Sequence, residues 1–215
     1  MRPDDDERVD ARVVVEIRST TAIIRLNRPA ERNPLSIATL KELDSAVSQA
    51  ASRNDVAAIL FTGTGDVFAS GADIRELMDL TPATALAFAK SGQRLFQKIA
   101  IVRQVTIAAI NGYCMGGGFD LALACNLRCA ATEAVFAHPG ARLGIMTGWG
   151  GTQRLPRLIG TARALEIFVS ARRVSSSEAL GLGLVNSLRD PVLDCALELA
   201  DREVLAREKQ LPALS

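Results

Sequence analysis

Through the first two thirds of the chain, short apolar blocks alternate with stretches in which apolar residues recur at helical spacing. Arg12 to Ile17 and Thr21 to Leu26 read as two strands joined at Ser19-Thr20, a hairpin closed off by Asn27-Arg28-Pro29. Ile37, Leu40, Leu43, Val47 and Ala50 fall at helical intervals behind Ser36, whose hydroxyl can cap the helix start. Val56 to Thr62 has the continuous apolar character of a buried strand and ends at Gly63-Thr64-Gly65-Asp66. Thr81-Pro82, a cap followed by proline at the first helical position, opens a long helix reaching about Ile99. Val105 to Ile110 predicts a further strand with Asn111-Gly112 behind it. The triplet Gly116-Gly117-Gly118 then opens a helix through Phe119 to Cys125, and Leu127 to Ala131 reads as a strand. Beyond Trp149 the pattern turns helical, over Thr161 to Ser170, Ser175 to Leu182 and Pro191 to Ala206.

Strands alternating with helices predict the α/β class. No internal repeat and no low-complexity linker interrupts the pattern. One domain is therefore expected over 12–215, with a core over about 12–150 and a helical part over about 151–215. Residues 1–11 are acidic and charged, and are expected to form a disordered tail.

Composition narrows the partners. Lys and Arg number 25 against 24 Asp and Glu, and aromatics are only 4%, so neither a polyelectrolyte surface nor base-stacking platforms for nucleic acid are expected. Cys125 and Cys129 lie one helical turn apart, which would suit a redox or metal pair. Their apolar run favours plain core residues, and the four cysteines (Cys114, Cys125, Cys129, Cys195) have no disulfide-framework spacing. With one histidine in 215 residues, a two-histidine metal helix is excluded and no metal is expected. The start lacks the apolar core of a signal peptide, and no apolar run reaches membrane-spanning length, so a reducing, cytoplasmic setting without membrane contact is expected.

Chemistry concentrates in two strand-to-helix turns. Val67 to Glu76 follows one predicted strand, and Ile107 to Asp120 runs strand, glycine triplet, helix. Helix starts leave N–H groups without intrahelical acceptors, the macrodipole favours negative charge there, and small residues admit a ligand to the backbone. Each turn alone is equally readable as a tight packing bend. Facing each other, the two would offer a pair of N–H donors to one oxygen, an oxyanion hole. Gly63 to Gly65 lacks the third glycine of a dinucleotide fingerprint, and no Gly-Lys-Ser/Thr follows any glycine run.

Leu26-Asn27-Arg28-Pro29, Phe68 to Glu76, Ile107 to Leu121, Gly150 to Leu155 and Ala179 to Asn186 resemble, in order and spacing, the signatures of the crotonase (enoyl-CoA hydratase/isomerase) family. The resemblance covers about residues 12–188 and implies a spiral of ββα units with a helical C-terminal part, assembling as homotrimers or paired trimers. It implies an acyl-CoA substrate, with coenzyme A as part of the thioester and no permanently bound cofactor. Carried over by position, Ala72 and Gly117 supply the two oxyanion N–H groups. Ser70, Asp73 and Ile74 match the stretch along the adenine and pantetheine of coenzyme A. Arg28 and the Ala30-Glu31-Arg32 loop match the segment near its phosphates and pantetheine arm. For Asp73, a structural bond at a helix start competes with that role.

The sequence also departs from the family. Of the two glutamates a hydratase uses, the first is replaced by Asp120, one methylene shorter, and the second falls at Gly140 in Ala137-His138-Pro139-Gly140. A positioned acid or base is worth about a hundred- to ten-thousandfold, so hydration by the usual route is expected to be weak. His138, with an ordinary pKa near 6.5, is a candidate replacement acid–base. Asp120, on a first helical turn, is expected to be held charged by the dipole and to act catalytically. Trp149 replaces a small residue and is expected to narrow the acyl pocket or to pack in the core. The chain stops at Ser215, about two helices before the family's usual end, leaving the expectation of an open pocket or one closed by a neighbouring subunit. The leading expectation is an enzyme working through a thioester enolate, by 1,3-proton shift, decarboxylation or weak hydration. The competing one is a non-catalytic CoA-thioester-binding member, which would need neither Asp120 nor His138.

Overall fold

The computed structural model describes residues 11–210, so the acidic tail lies, apart from Ala11, outside the described residues. The chain opens with the predicted hairpin, β1 (Val13–Arg18) against β2 (Thr21–Leu26). A short strand, β3 (Pro34–Leu35), precedes α1 (Ile37–Ser52), and Ser36 caps that helix by accepting from Thr39 N at 3.1 Å. The next turn of chain supplies β4 (Ala58–Gly63), β5 (Val67–Ala69), β6 (Gly71–Ala72), the short α2 (Ile74–Met78) and the long α3 (Pro82–Ile101). Thr81 and Thr84 close the start of α3 as a reciprocal capping box. Then come β7 (Val105–Ile110), β8 (Tyr113–Met115) and α4 (Gly117–Ala124), followed by β9 (Leu127–Ala130), β10 (Val135–Ala137), α5 (Gly151–Ile159) and α6 (Thr161–Ser170). β11 (Val174–Ser175), α7 (Ser176–Gly181), β12 (Ser187–Leu188) and α8 (Val192–Gln210) complete the described chain.

Two sheets hold ten of these strands, and β3 pairs with β6 in a small third sheet. The larger has the order β1-β2-β4-β7-β9-β12, parallel except for the β1 hairpin, and the second has the order β11-β10-β8-β5. Each circuit places one long strand in the first sheet and a short one beyond it before a helix returns, so the chain winds as a spiral of ββα units. Sequence reading found no repeat because the repeated object is geometric. Strands of two or three residues hold too few positions to display a period.

Strands β2, β4 and β7 of the larger sheet are buried on both faces, which is why they read as largely apolar runs rather than as alternation. Ile24, Phe61, Ala108 and Ile110 face the main core with Leu43, Phe96, Phe119 and Leu155, while Ile23, Leu60, Ile107 and Cys129 pack under Ala196 and Leu199 of α8. All four cysteines are buried and free. No described helix is long and apolar enough to cross a membrane.

Candidate active site

The second sheet brings the two glycine-rich turns together. Parallel pairing of β5 with β8 sets Val67 beside Tyr113 and Ala69 beside Cys114, so the chain leaves both strands at the same edge. Gly71 takes φ +101°, a conformation favouring glycine, and a Cβ there would stand 2.9 Å from the Met115 carbonyl and 3.1 Å from Gly117 N. Conversely, a Cβ on Gly117 would lie 3.4 Å from Ala72 N. The Ala72 and Gly117 amides are therefore neighbours on one wall of a cavity of about 280 Å³. Gly117 is the first residue of α4, where an N–H has no intrahelical acceptor.

Ser70, Ala72, Ile74, Gly117, His138, Gly140 and Trp149 all line this cavity, so seven of the eleven residues singled out from the sequence meet there. Leu77, Phe88, Leu143, Ile145, Met146 and Phe168 make the rest of the wall largely apolar.

Arg28, Arg32 and Asp73 stand off the cavity wall. The Arg32 guanidinium lies 5.2 Å from the Tyr113 ring centroid, and its carbonyl accepts from Ser70 N at 3.1 Å, which ties its loop to the first turn. Asp73 caps α2 by accepting from Arg75 N at 2.9 Å, and its carboxylate pairs with the Arg75 guanidinium at 2.8 Å. That hydrogen-bonded pair holds its pKa below the ordinary value. The structural reading of Asp73 thus has a geometry of its own.

Asp120 departs furthest from expectation. It does sit on the first turn of α4, its N–H bonded to the Gly116 carbonyl at 3.0 Å, but its side chain is 0% exposed and forms no part of the cavity wall. Burial pushes its pKa up from 3.8 to about 7, against the opposing pull of the Thr147 hydroxyl, the Arg154 charge and the amides of Trp149 and Gly151. A helix dipole contributes typically about 0.3–1 kcal/mol, whereas a shift of this size corresponds to about 4 kcal/mol, so desolvation wins. The dipole therefore does not hold this carboxyl at an ordinary carboxylate pKa.

Burial shifts His138 in the opposite sense. It is 3% exposed, its ring stacked on Phe119 at 4.7 Å and tilted against Phe168 at 4.9 Å, and burial pushes its pKa down from 6.5 to about 3. Its Nε2 faces Asp120 Oδ1 at 3.5 Å, and neither atom has a hydrogen-bond partner.

Trp149 both packs in the core and shapes the cavity. Its indole lies against Phe88 at 5.2 Å and edge-on to Phe96 at 5.7 Å, and it occupies the room left by two glycines. A Cβ on Gly92 or on Gly117 would come within 2.4 Å of the ring. Gly140 is equally constrained, since a Cβ there would stand 2.6 Å from the Ile145 carbonyl.

Sequence reasoning missed Thr147, whose hydroxyl donates to Asp120 Oδ2 from 27 positions away, and the aromatic pair Phe119 and Phe168 around His138. No local pattern marks any of the three, because each acquires its role only through a long-range contact.

The chain as a whole is similar to known proteins. The family model described as enoyl-CoA hydratase/isomerase matches residues 16–212. A short-chain-enoyl-CoA hydratase of Clostridium acetobutylicum is 35% identical over 195 residues, 89% of this chain and 75% of that one. A crotonyl-CoA hydratase of Syntrophomonas wolfei is 38% identical over 83% of this chain and 69% of its own length. The crystal structure of an enoyl-CoA hydratase from Bacillus anthracis superposes with a TM-score of 0.86 at 34% identity, covering 89% of this chain and 76% of that one.

Proposed function

The chain belongs to the enoyl-CoA hydratase/isomerase family, of the crotonase fold, and on that premise we propose that it is an acyl-CoA enzyme that forms a thioester enolate in this cavity. The observation that carries the reading is the adjacency of the Ala72 and Gly117 amides on one wall of an apolar cavity. Two N–H groups aimed at one oxygen stabilise charge that develops there, and loss of one such donor costs about a hundred- to a thousandfold in rate. The apolar wall receives the acyl chain. Ser70 and Ile74 line the cavity with Ala72 and serve the pantetheine arm, while Arg28, Arg32 and Asp73 stand off its wall.

The chemistry follows from what flanks the oxyanion site. The relatives are named as hydratases, which favours an unsaturated acyl thioester as substrate. Glycine at 140 leaves a single acid–base locus, Asp120 with His138. One such locus suffices for a 1,3-proton shift between carbons of the acyl chain, whereas water addition needs a second group to be fast. We therefore place enolate-mediated proton transfer first and slow hydration second. A purely CoA-binding role fits less well. A buried carboxyl shifted to about 7 beside a buried imidazole at a cavity is the kind of perturbed pair that marks reacting sites. Exposed Ile74, Met78, Leu143, Ile145 and Met146 near the cavity favour cover by a second subunit, as in a homotrimer.

Calorimetric titration with free CoA and a panel of saturated and unsaturated acyl-CoA esters tests the reading, with mass spectrometry of each mixture for conversion. Binding of unsaturated esters together with solvent deuterium uptake into the acyl chain is expected. A folded protein that binds none of them overturns it.

A further inference from the structure

Asp120 has no surface on the cavity; His138 does. Resting on the enolate reading above, we infer that His138 is the group that takes and returns the substrate proton, and that Asp120 is a positioning residue that decides which of its ring nitrogens carries hydrogen.

Two orphaned atoms motivate this. His138 Nε2 and Asp120 Oδ1 are each buried without a hydrogen-bond partner, and they face one another at 3.5 Å. An unsatisfied buried polar atom costs about 1–3 kcal/mol, so two of them in apposition are best understood as one interaction that closes when the ring moves by a fraction of an ångström. The remainder of the arrangement is already built. Phe119 fixes the plane of the ring, Phe168 backs it, and Thr147 holds the other carboxyl oxygen. With Nε2 turned to Asp120, Nδ1 is the nitrogen left to serve the cavity.

The proton count closes. With Asp120 ionised, Nε2 carries the hydrogen and donates to Oδ1, and Nδ1 presents a lone pair. Nδ1 takes a proton from an acyl carbon, the C–H electron pair passes into the enolate, and its negative oxygen rests on the Ala72 and Gly117 amides. The Nε2 hydrogen moves to Oδ1 as Nδ1 is protonated, so the pair becomes neutral rather than placing an imidazolium in an apolar site. Reversal of both movements returns the proton to a different carbon, with nothing oxidised or reduced. Neither partner moves the proton alone, since burial makes His138 by itself resist protonation and Asp120 by itself cannot reach the cavity. The charged or titratable groups facing Asp120 are His138, Arg154 from α5 and Cys114 from β8. Burial holds the Cys114 thiol neutral, which leaves Arg154 as the nearby positive charge. His138 is faced by Asp120 and otherwise by the two phenyl rings.

One histidine in the chain makes the test direct, because isotopic labelling of histidine nitrogens gives a single pair of imidazole resonances. In the ligand-free wild type those resonances are expected to change protonation pattern as Asp120 ionises near pH 7, and in Asp120→Asn to stay fixed. His138→Gln is expected to lower deuterium uptake into a bound acyl-CoA by about a hundredfold or more while calorimetric binding persists. Asp120→Asn should slow uptake and flatten its pH profile. Flat nitrogen resonances across neutral pH in the wild type overturn the pairing. Wild-type uptake by folded, ligand-binding His138→Gln overturns proton transfer through His138. Failure of the wild type to bind any acyl-CoA overturns the enolate reading itself, and the nitrogen spectra still decide separately whether the pair exists.

Discussion

Removing one member of the Asp120–His138 pair should expose a pH dependence of stability that the intact pair conceals. Burial lowers His138 from 6.5 to about 3, so below pH 6.5 the unfolded chain holds more protons there, and stability falls as pH falls towards 3. Burial raises Asp120 from 3.8 to about 7, so between those values the folded state holds more protons. That contribution is complete below 3.8 and is lost as pH rises through about 7. Each slope is about 1.4 kcal/mol per pH unit, of opposite sign, and they cancel between about pH 4 and pH 6.5. Asp120→Asn leaves only the histidine slope, so its stability should drop by about 3 kcal/mol as pH goes from about 6.5 to about 4.5. His138→Gln leaves only the aspartate slope and should gain about as much over the same interval. Denaturant unfolding of wild type, both single variants and the double variant at several pH values measures this. Surface pairs such as Arg53–Asp55 and Arg172–Glu178 are common to all four proteins and drop out of the differences. Parallel stability curves for the two single variants would refute the reasoning.

Other outcomes follow from the packing around the cavity. Wild-type hydration of crotonyl-CoA, followed by loss of enoyl-thioester absorbance, should be slow. Gly140→Glu should not restore it, because the added Cβ meets the Ile145 carbonyl at 2.6 Å and the turn must move before a carboxylate can point inwards. Trp149→Ala removes the ring between Gly92 and Gly117 and should cost about 3–5 kcal/mol by denaturant unfolding. Light scattering at micromolar concentration should report a trimer or hexamer, and a monomer would count against subunit cover of the cavity.

Much of the architecture is written locally. The hairpin, the apolar strands from Ala58 to Gly63 and from Val105 to Ile110, and the helices behind Ser36 and Thr81 depend on neighbours a few positions away, and they fold with boundaries within a residue or two of the pattern. The two turns were legible too, and Ala72 and Gly117, which the family resemblance singled out within them, both line the cavity. The second sheet was not, because β5, β8 and β10 are three residues each and exist only by pairing with one another.

Sequence by itself determined which residue types stand at these positions, including the aspartate and glycine that the family resemblance sets against two glutamates. Tertiary structure alone decided their state. The helix-start position of Asp120 argues for a charge, yet Thr147, Trp149 and Gly151 enclose it from a distant segment, and the loss of water outweighs the dipole. His138 loses its ordinary basicity between two phenylalanines that lie 19 and 30 positions away. Burial belongs to no single stretch of chain. A carboxyl that becomes hard to ionise and an imidazole that becomes hard to protonate can therefore be read only once the segments that exclude water from them are in place.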